Sequence, residues 1–105
     1  MTTIQYKADF NNLAWEQPLK GLRQKCLVQN NICLRLAEFS KEIPLDWCKN
    51  GHTGYVIEGT VELEFENSTV IYHKGDGIFI PESPEHKHRV RVISDKALIF
   101  FVEKP

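Results

Sequence analysis

From Val61 to Glu66 the chain reads Val-Glu-Leu-Glu-Phe-Glu, apolar and acidic residues in strict alternation. Successive side chains of a β-strand point to opposite faces, so this run buries one face and wets the other. A helix cannot sort the same residues into two faces. Gly59 ahead of the run and Asn67-Ser68 behind it are turn residues, the latter leading into a strand from Thr69 to His73. Upstream, Cys26-Leu27-Val28, the turn Asn30-Asn31 and the run from Ile32 to Phe39 read as a hairpin. Downstream, Gly75-Asp76-Gly77 turns into Ile78-Phe79-Ile80, expected to be a short, fully buried strand. His86 to Ile93 alternates again, with His86, His88, Val90 and Val92 on one face and Lys87, Arg89 and Arg91 on the other. Those cations complement the row Glu62, Glu64 and Glu66 if the two strands are neighbours. Ser94-Asp95 then turns into a last strand from Ala97 to Glu103.

Residues 1–21 give only a weak edge-strand signal at Ile4, Tyr6 and Phe10, interrupted by Trp15, Pro18 and Gly21. No segment sustains a helical period. Many short strands in a small chain predict an all-β sandwich or barrel, with Val56, Leu63, Phe79 and Val90 expected in its interior.

At 105 residues the chain has the length of one domain. It divides into an N-terminal arm of about 1–24 and a core of about 25–103. The formal net charge is -1 with both signs interleaved, which argues against nucleic acid or an anionic membrane as partner. No apolar run is long enough to cross a bilayer, and the N-terminus shows no signal-peptide pattern. The cysteines are Cys26, Cys33 and Cys48. An odd count without a secretion signal predicts free thiols in a reducing cytoplasm. Cys26 and Cys33 read as small buried residues.

The stretch from Asp46 to Gly59 carries the chemistry. Asp46, Cys48 and His52 are all able to bind a metal, and they precede the apolar run Tyr55-Val56-Ile57. In an extended segment Asp46 and Cys48 share a face, being two residues apart. Lys49 to Gly51 read as a turn, after which His52 opens the next strand. Three potential ligands thus converge from two neighbouring strands. The plain alternatives are a buried Cys48, a solvated Asp46 and a hydrogen-bonded His52. His73 lies outside any such grouping.

These residues resemble the cupins, small double-stranded β-helix (jelly-roll) barrels, over roughly residues 32–102. The second cupin motif runs Gly, five residues, Pro-x-Gly, two residues, His, three residues, Asn. Gly75, Pro81 and His86 match it, with Ser83 and Val90 in place of the second glycine and the asparagine. The first motif runs His-x-His, three or four residues, Glu, six residues, Gly. Anchored on Gly59, it sets His52 at the glutamate and Asp46 and Cys48 at the two histidines.

The resemblance implies a divalent metal at Asp46, Cys48, His52 and His86. A decayed site would instead show apolar or small replacements. Thiolate with imidazole favours zinc, whereas His52, His86 and Asp46 alone would make the two-histidine, one-carboxylate set of Fe(II) oxygenases. His88 is either an acid–base group in the barrel or a satisfied core histidine. Two functions follow as expectations. One is a metal-dependent isomerase, epimerase, lyase or dioxygenase acting on a small polar metabolite such as a sugar derivative. The other is a non-catalytic module that binds a small ligand. Glu58 is a further candidate for the cavity by alternation from His52. Trp15, Trp47 and Tyr55 read as outward aromatics, and with the family's habit of pairing they predict a homodimer.

Overall fold

The computed structural model describes residues 3–105. Among the described residues nine strands form two antiparallel sheets: β1 Glu16–Leu19, β2 Leu22–Gln29, β3 Ile32–Ser40, β4 His52–Glu58, β5 Val61–Phe65, β6 Thr69–Tyr72, β7 Gly77–Ile80, β8 His88–Val92 and β9 Lys96–Glu103. The larger sheet has the order β1-β2-β3-β9-β4-β7 and the smaller β6-β5-β8. Among the described residues the only helical segments are two 3-10 turns, Phe10–Asn12 and Pro84–His86. The all-β expectation therefore holds.

Local chemistry accounts for the strand ends. The β2–β3 hairpin turns through Asn30 and Asn31 at φ 51° and 60°, the left-handed pair that a two-residue hairpin demands and asparagine tolerates. Pro18 sits in β1, at the edge of the larger sheet, where a missing N–H costs no ladder bond. The N-terminal edge strand is thus β1 itself, whereas Ile4 and Tyr6 lie outside any strand and Phe10 opens a 3-10 turn.

The inward faces meet in one core of Ala37, Phe39, Val56, Val61, Leu63, Ile78, Ile80, Val92, Ala97, Ile99 and Phe101. Val56 and Leu63 are buried as expected, and Val90 packs half-buried against the core. Phe79 is the exception at 79% exposure. The strand β7 alternates, sending Ile78 and Ile80 inward and Phe79 out, so three successive apolar residues did not mean burial on both faces. In the smaller sheet Glu62 lies opposite Arg91 and Glu64 opposite Arg89, and Arg89 Nη2 sits 3.0 Å from Glu64 Oε2. The predicted pairing of charged rows is present.

Two expectations need correction. Asp46 to Cys48 is not a strand; Cys48 forms one isolated bridge, with His88. Glu58 does not enter the cavity. The register between β4 and β9 slips between Val56 and Glu58, and this bulge turns Glu58 outward to an ion pair with Lys74.

Candidate metal centre

Between the sheets lies a cavity of about 240 Å³, walled mainly by apolar residues such as Leu22, Phe39, Ile78, Ile80, Ile99 and Phe101. Cys48, His52 and His88 lie together on its wall, and a ligand atom from each falls within 4.8 Å of the other two. Three separate elements deliver them. His52 opens β4 and pairs with Ile80 of β7. His88 opens β8, with Phe65 of β5 opposite. Cys48 is clamped to His88 by two backbone bonds, Cys48 N–H to His88 O at 2.7 Å and His88 N–H to Cys48 O at 3.0 Å. Residues paired directly across an antiparallel bridge project to the same side. The thiol and the imidazole therefore face one another's space.

The hydrogen bonds fix which nitrogens face inward. His88 Nδ1 is 3.0 Å from the His86 carbonyl oxygen, and a carbonyl can only accept, so Nδ1 carries the proton. His52 Nδ1 is 2.9 Å from Glu103 Oε2, again an acceptor. In both rings Nε2 is left with its lone pair directed to the cluster. His52 Nε2 lies 3.9 Å from Cys48 Sγ. His88 is only 3% exposed, and its Nε2 is buried without any partner. Leaving such an atom unpaired costs on the order of 1–3 kcal/mol. Burial, opposed by the bond to His86 and reinforced by nearby His52, lowers the His88 pKa. The ring is therefore neutral near pH 7, the form that coordinates metals.

These donors suit a metal ion. Tetrahedral zinc with ordinary Zn–S and Zn–N bonds would put sulfur and nitrogen about 3.6 Å apart, close to the 3.9 Å between Cys48 and His52. Each histidine already has the carboxylate or carbonyl on its far nitrogen that metal-bound histidines almost always show. Glu103 serves two partners, since Arg35 Nε donates to its Oε1 at 2.6 Å. Burial works to raise the Glu103 pKa, but the bonds from His52 and Arg35 outweigh it and hold the carboxyl below its ordinary range. Glu103→Gln should keep the fold yet loosen His52, weakening zinc binding by roughly 10–100-fold. Competition with a chelator measures this; an unchanged affinity would count against the role of Glu103.

The structure brings Cys48 and His52 together and adds His88. His86 ends the 3-10 turn Pro84–His86 and reaches the group only through its backbone carbonyl. Asp46 lines the cavity but is exposed and stands apart from the cluster. That turn explains the difference, because it takes up two residues before β8 begins and moves the first inward position from His86 to His88. Glu103 and Arg35 gave no local signal beyond alternation, which sets Glu103 on the inward column of Ile99 and Phe101. Trp47 stays 43% exposed, stacked by Lys87 and Arg89 at 5.3 and 4.7 Å.

The profile of the cupin domain family matches residues 40–102, more than half of the chain. No curated protein matches it by sequence. Among solved structures it is similar to KdgF from Halomonas sp. at TM-score 0.70 and 17% identity, with 90% of this chain and 91% of that one aligned. It is similar to the hydroxypropylphosphonic acid epoxidase from S. wedmorenis at TM-score 0.72 and 15% identity, covering 97% of this chain and 59% of that one. An iron(II) form of HppE aligns at TM-score 0.70 and 15% identity, covering 96% and 59%. At these identities the likeness concerns the fold.

Proposed function

This chain belongs to the cupin domain family, and from that premise we propose that it is a metal-dependent cupin holding one divalent ion, zinc, on Cys48, His52 and His88. The observation that carries the reading is His88 Nε2, a buried lone pair without a partner, aimed at a thiol and a second imidazole. Zinc is favoured over iron(II) because the third donor is a thiol rather than a carboxylate, Asp46 standing outside the cluster. With three protein donors the ion keeps a position open, where it acts as a Lewis acid on a carbonyl or hydroxyl oxygen. The chain's own part is to hold both imidazoles in one tautomer and to exclude water with the apolar wall. That wall fits a small molecule with one oxygen-bearing end better than a sugar hydroxylated all round. Of the isomerase, lyase and oxygenase kinds, an oxygenase is supported by one of the similar structures, an epoxidase.

One observation favours the second reading, a non-catalytic binding module. With His88 spent as a ligand, Asp46 is the only carboxylate lining the cavity among the described residues, and no lysine among them lines it. Proton transfer would then rest on Asp46 at the mouth.

Elemental analysis of tag-free protein after exposure to zinc or ferrous iron tests the site. The expected result is one zinc per chain, with Cys48→Ser weakening zinc more than iron, since a hydroxyl replaces thiolate poorly on zinc. Protein that retains neither ion would end the metal reading.

A further inference from the structure

Beyond the cluster, the cavity wall contains one nearly buried cation, Arg35, whose side chain is 14% exposed. It is held from behind. Nε donates to Glu103 Oε1 at 2.6 Å and Nη1 to Gln24 Oε1 at 3.2 Å, and neither acceptor residue lines the cavity. The guanidinium carbon lies 4.6 Å from the centre of the Phe101 ring, which itself packs against His52 at 5.2 Å. A guanidinium has five N–H donors, and among the described residues Nη2 makes no hydrogen bond. His88 Nε2 is the one fully buried polar side-chain atom left without a partner among those residues. The Arg35 edge is therefore free and opens onto accessible space.

Glu103 fixes this cation beside the cluster, because its two oxygens hold Arg35 and His52 at once. The other arginine on the wall, Arg89, differs in giving both Nε and Nη2 to Glu64 while stacking on Trp47. The cavity wall thus offers a preorganised guanidinium whose Nη2 is without a partner among the described residues, a charged donor suited to a carboxylate oxygen. Apart from the exposed Asp46, the remaining wall is aliphatic and aromatic.

We propose that Arg35 anchors the carboxylate of a small monocarboxylic acid whose apolar chain lies along the cavity wall. The inference rests on the reading of this cavity as the ligand site, so its test runs with and without zinc to separate the two. Hexanoate and its neutral analogue hexanamide are titrated by calorimetry into metal-stripped and zinc-loaded protein. In the stripped protein, where no ion can create the preference, hexanoate should bind at least tenfold more tightly than hexanamide. Arg35→Met should abolish that preference, and Arg35→Lys should weaken hexanoate about tenfold by replacing the held planar guanidinium with a flexible point charge. Equal binding of acid and amide by the stripped wild type overturns the proposal, even if zinc-loaded protein prefers the acid. So does unchanged hexanoate affinity in Arg35→Lys, the variant that decides if Arg35→Met does not fold. Failure to retain zinc in the same samples would count against the metal site alone.

Discussion

Replacing His88 by leucine should abolish zinc binding while leaving the metal-free protein folded, whereas the same change at His86 should leave zinc binding intact. The expectation follows from what each residue supplies. His88 brings a neutral imidazole with a buried, unpartnered Nε2, and His86 brings only a backbone carbonyl to the group. Leucine keeps that carbonyl. Without metal, the orphaned nitrogen of His88 costs on the order of 1–3 kcal/mol. An apolar side chain in contact with Phe65 should therefore leave the metal-free protein as stable as wild type, or more so. With metal the order reverses. Zinc at 100 times its dissociation constant adds about 2.7 kcal/mol to the folded wild type, a rise of roughly 10–20 °C in Tm for a domain of this size. His88→Leu should show none of that rise, and His86→Leu nearly all of it. Thermal melts with and without zinc, alongside metal analysis, measure both. A full zinc shift in His88→Leu would remove His88 from the site.

How much of this was legible beforehand depends on the range of the interaction. Alternation and turn residues act over a few positions, and they correctly gave the β2–β3 hairpin, the strand from Val61 to Phe65 and the charged pairing of β5 with β8. Alternation also held the answer at Phe79, which a run of three apolar residues obscured. Cys48 and His52 were readable as a pair because they are close in sequence. The third member was displaced by a local event, the 3-10 turn Pro84–His86, which spacing within a motif does not reveal. Glu103 and Arg35 were out of reach for another reason. Their union with His52 depends on β9 lying between β3 and β4, a long-range register that no neighbouring residue announces. The glycines behaved differently, because their role is set by the backbone.

Gly59 and Gly75 anchor the two sequence motifs, and both have positive φ, +87° and +95°. Any L-residue at either position meets backbone strain of roughly 1–2 kcal/mol. Their surroundings then separate them. A Cβ at Gly75 would meet nothing closer than Tyr55 Oη at 3.8 Å. One at Gly59 would lie 2.3 Å from the Lys96 carbonyl oxygen and 2.7 Å from Ala97 Cα, main-chain atoms at the start of β9 that cannot rotate aside. Two of the connections between the sheets run side by side here. The chain passes from β4 to β5 through Gly59 and Thr60 and from β8 to β9 through Ile93 to Asp95, and the two segments are tied by Ile93 N–H to Thr60 O at 2.9 Å and by Thr60 N–H to Ser94 Oγ at 2.9 Å. Moving one segment strains the other, so overpacking adds about 1–3 kcal/mol to the strain. Gly75→Ala should therefore cost about 1–2 kcal/mol and Gly59→Ala about 2–5 kcal/mol, a large share of the 5–15 kcal/mol typical of a whole domain. Urea denaturation of the two variants measures the difference. If Gly59→Ala loses no more stability than Gly75→Ala, the close approach of the β9 main chain is not what requires glycine there.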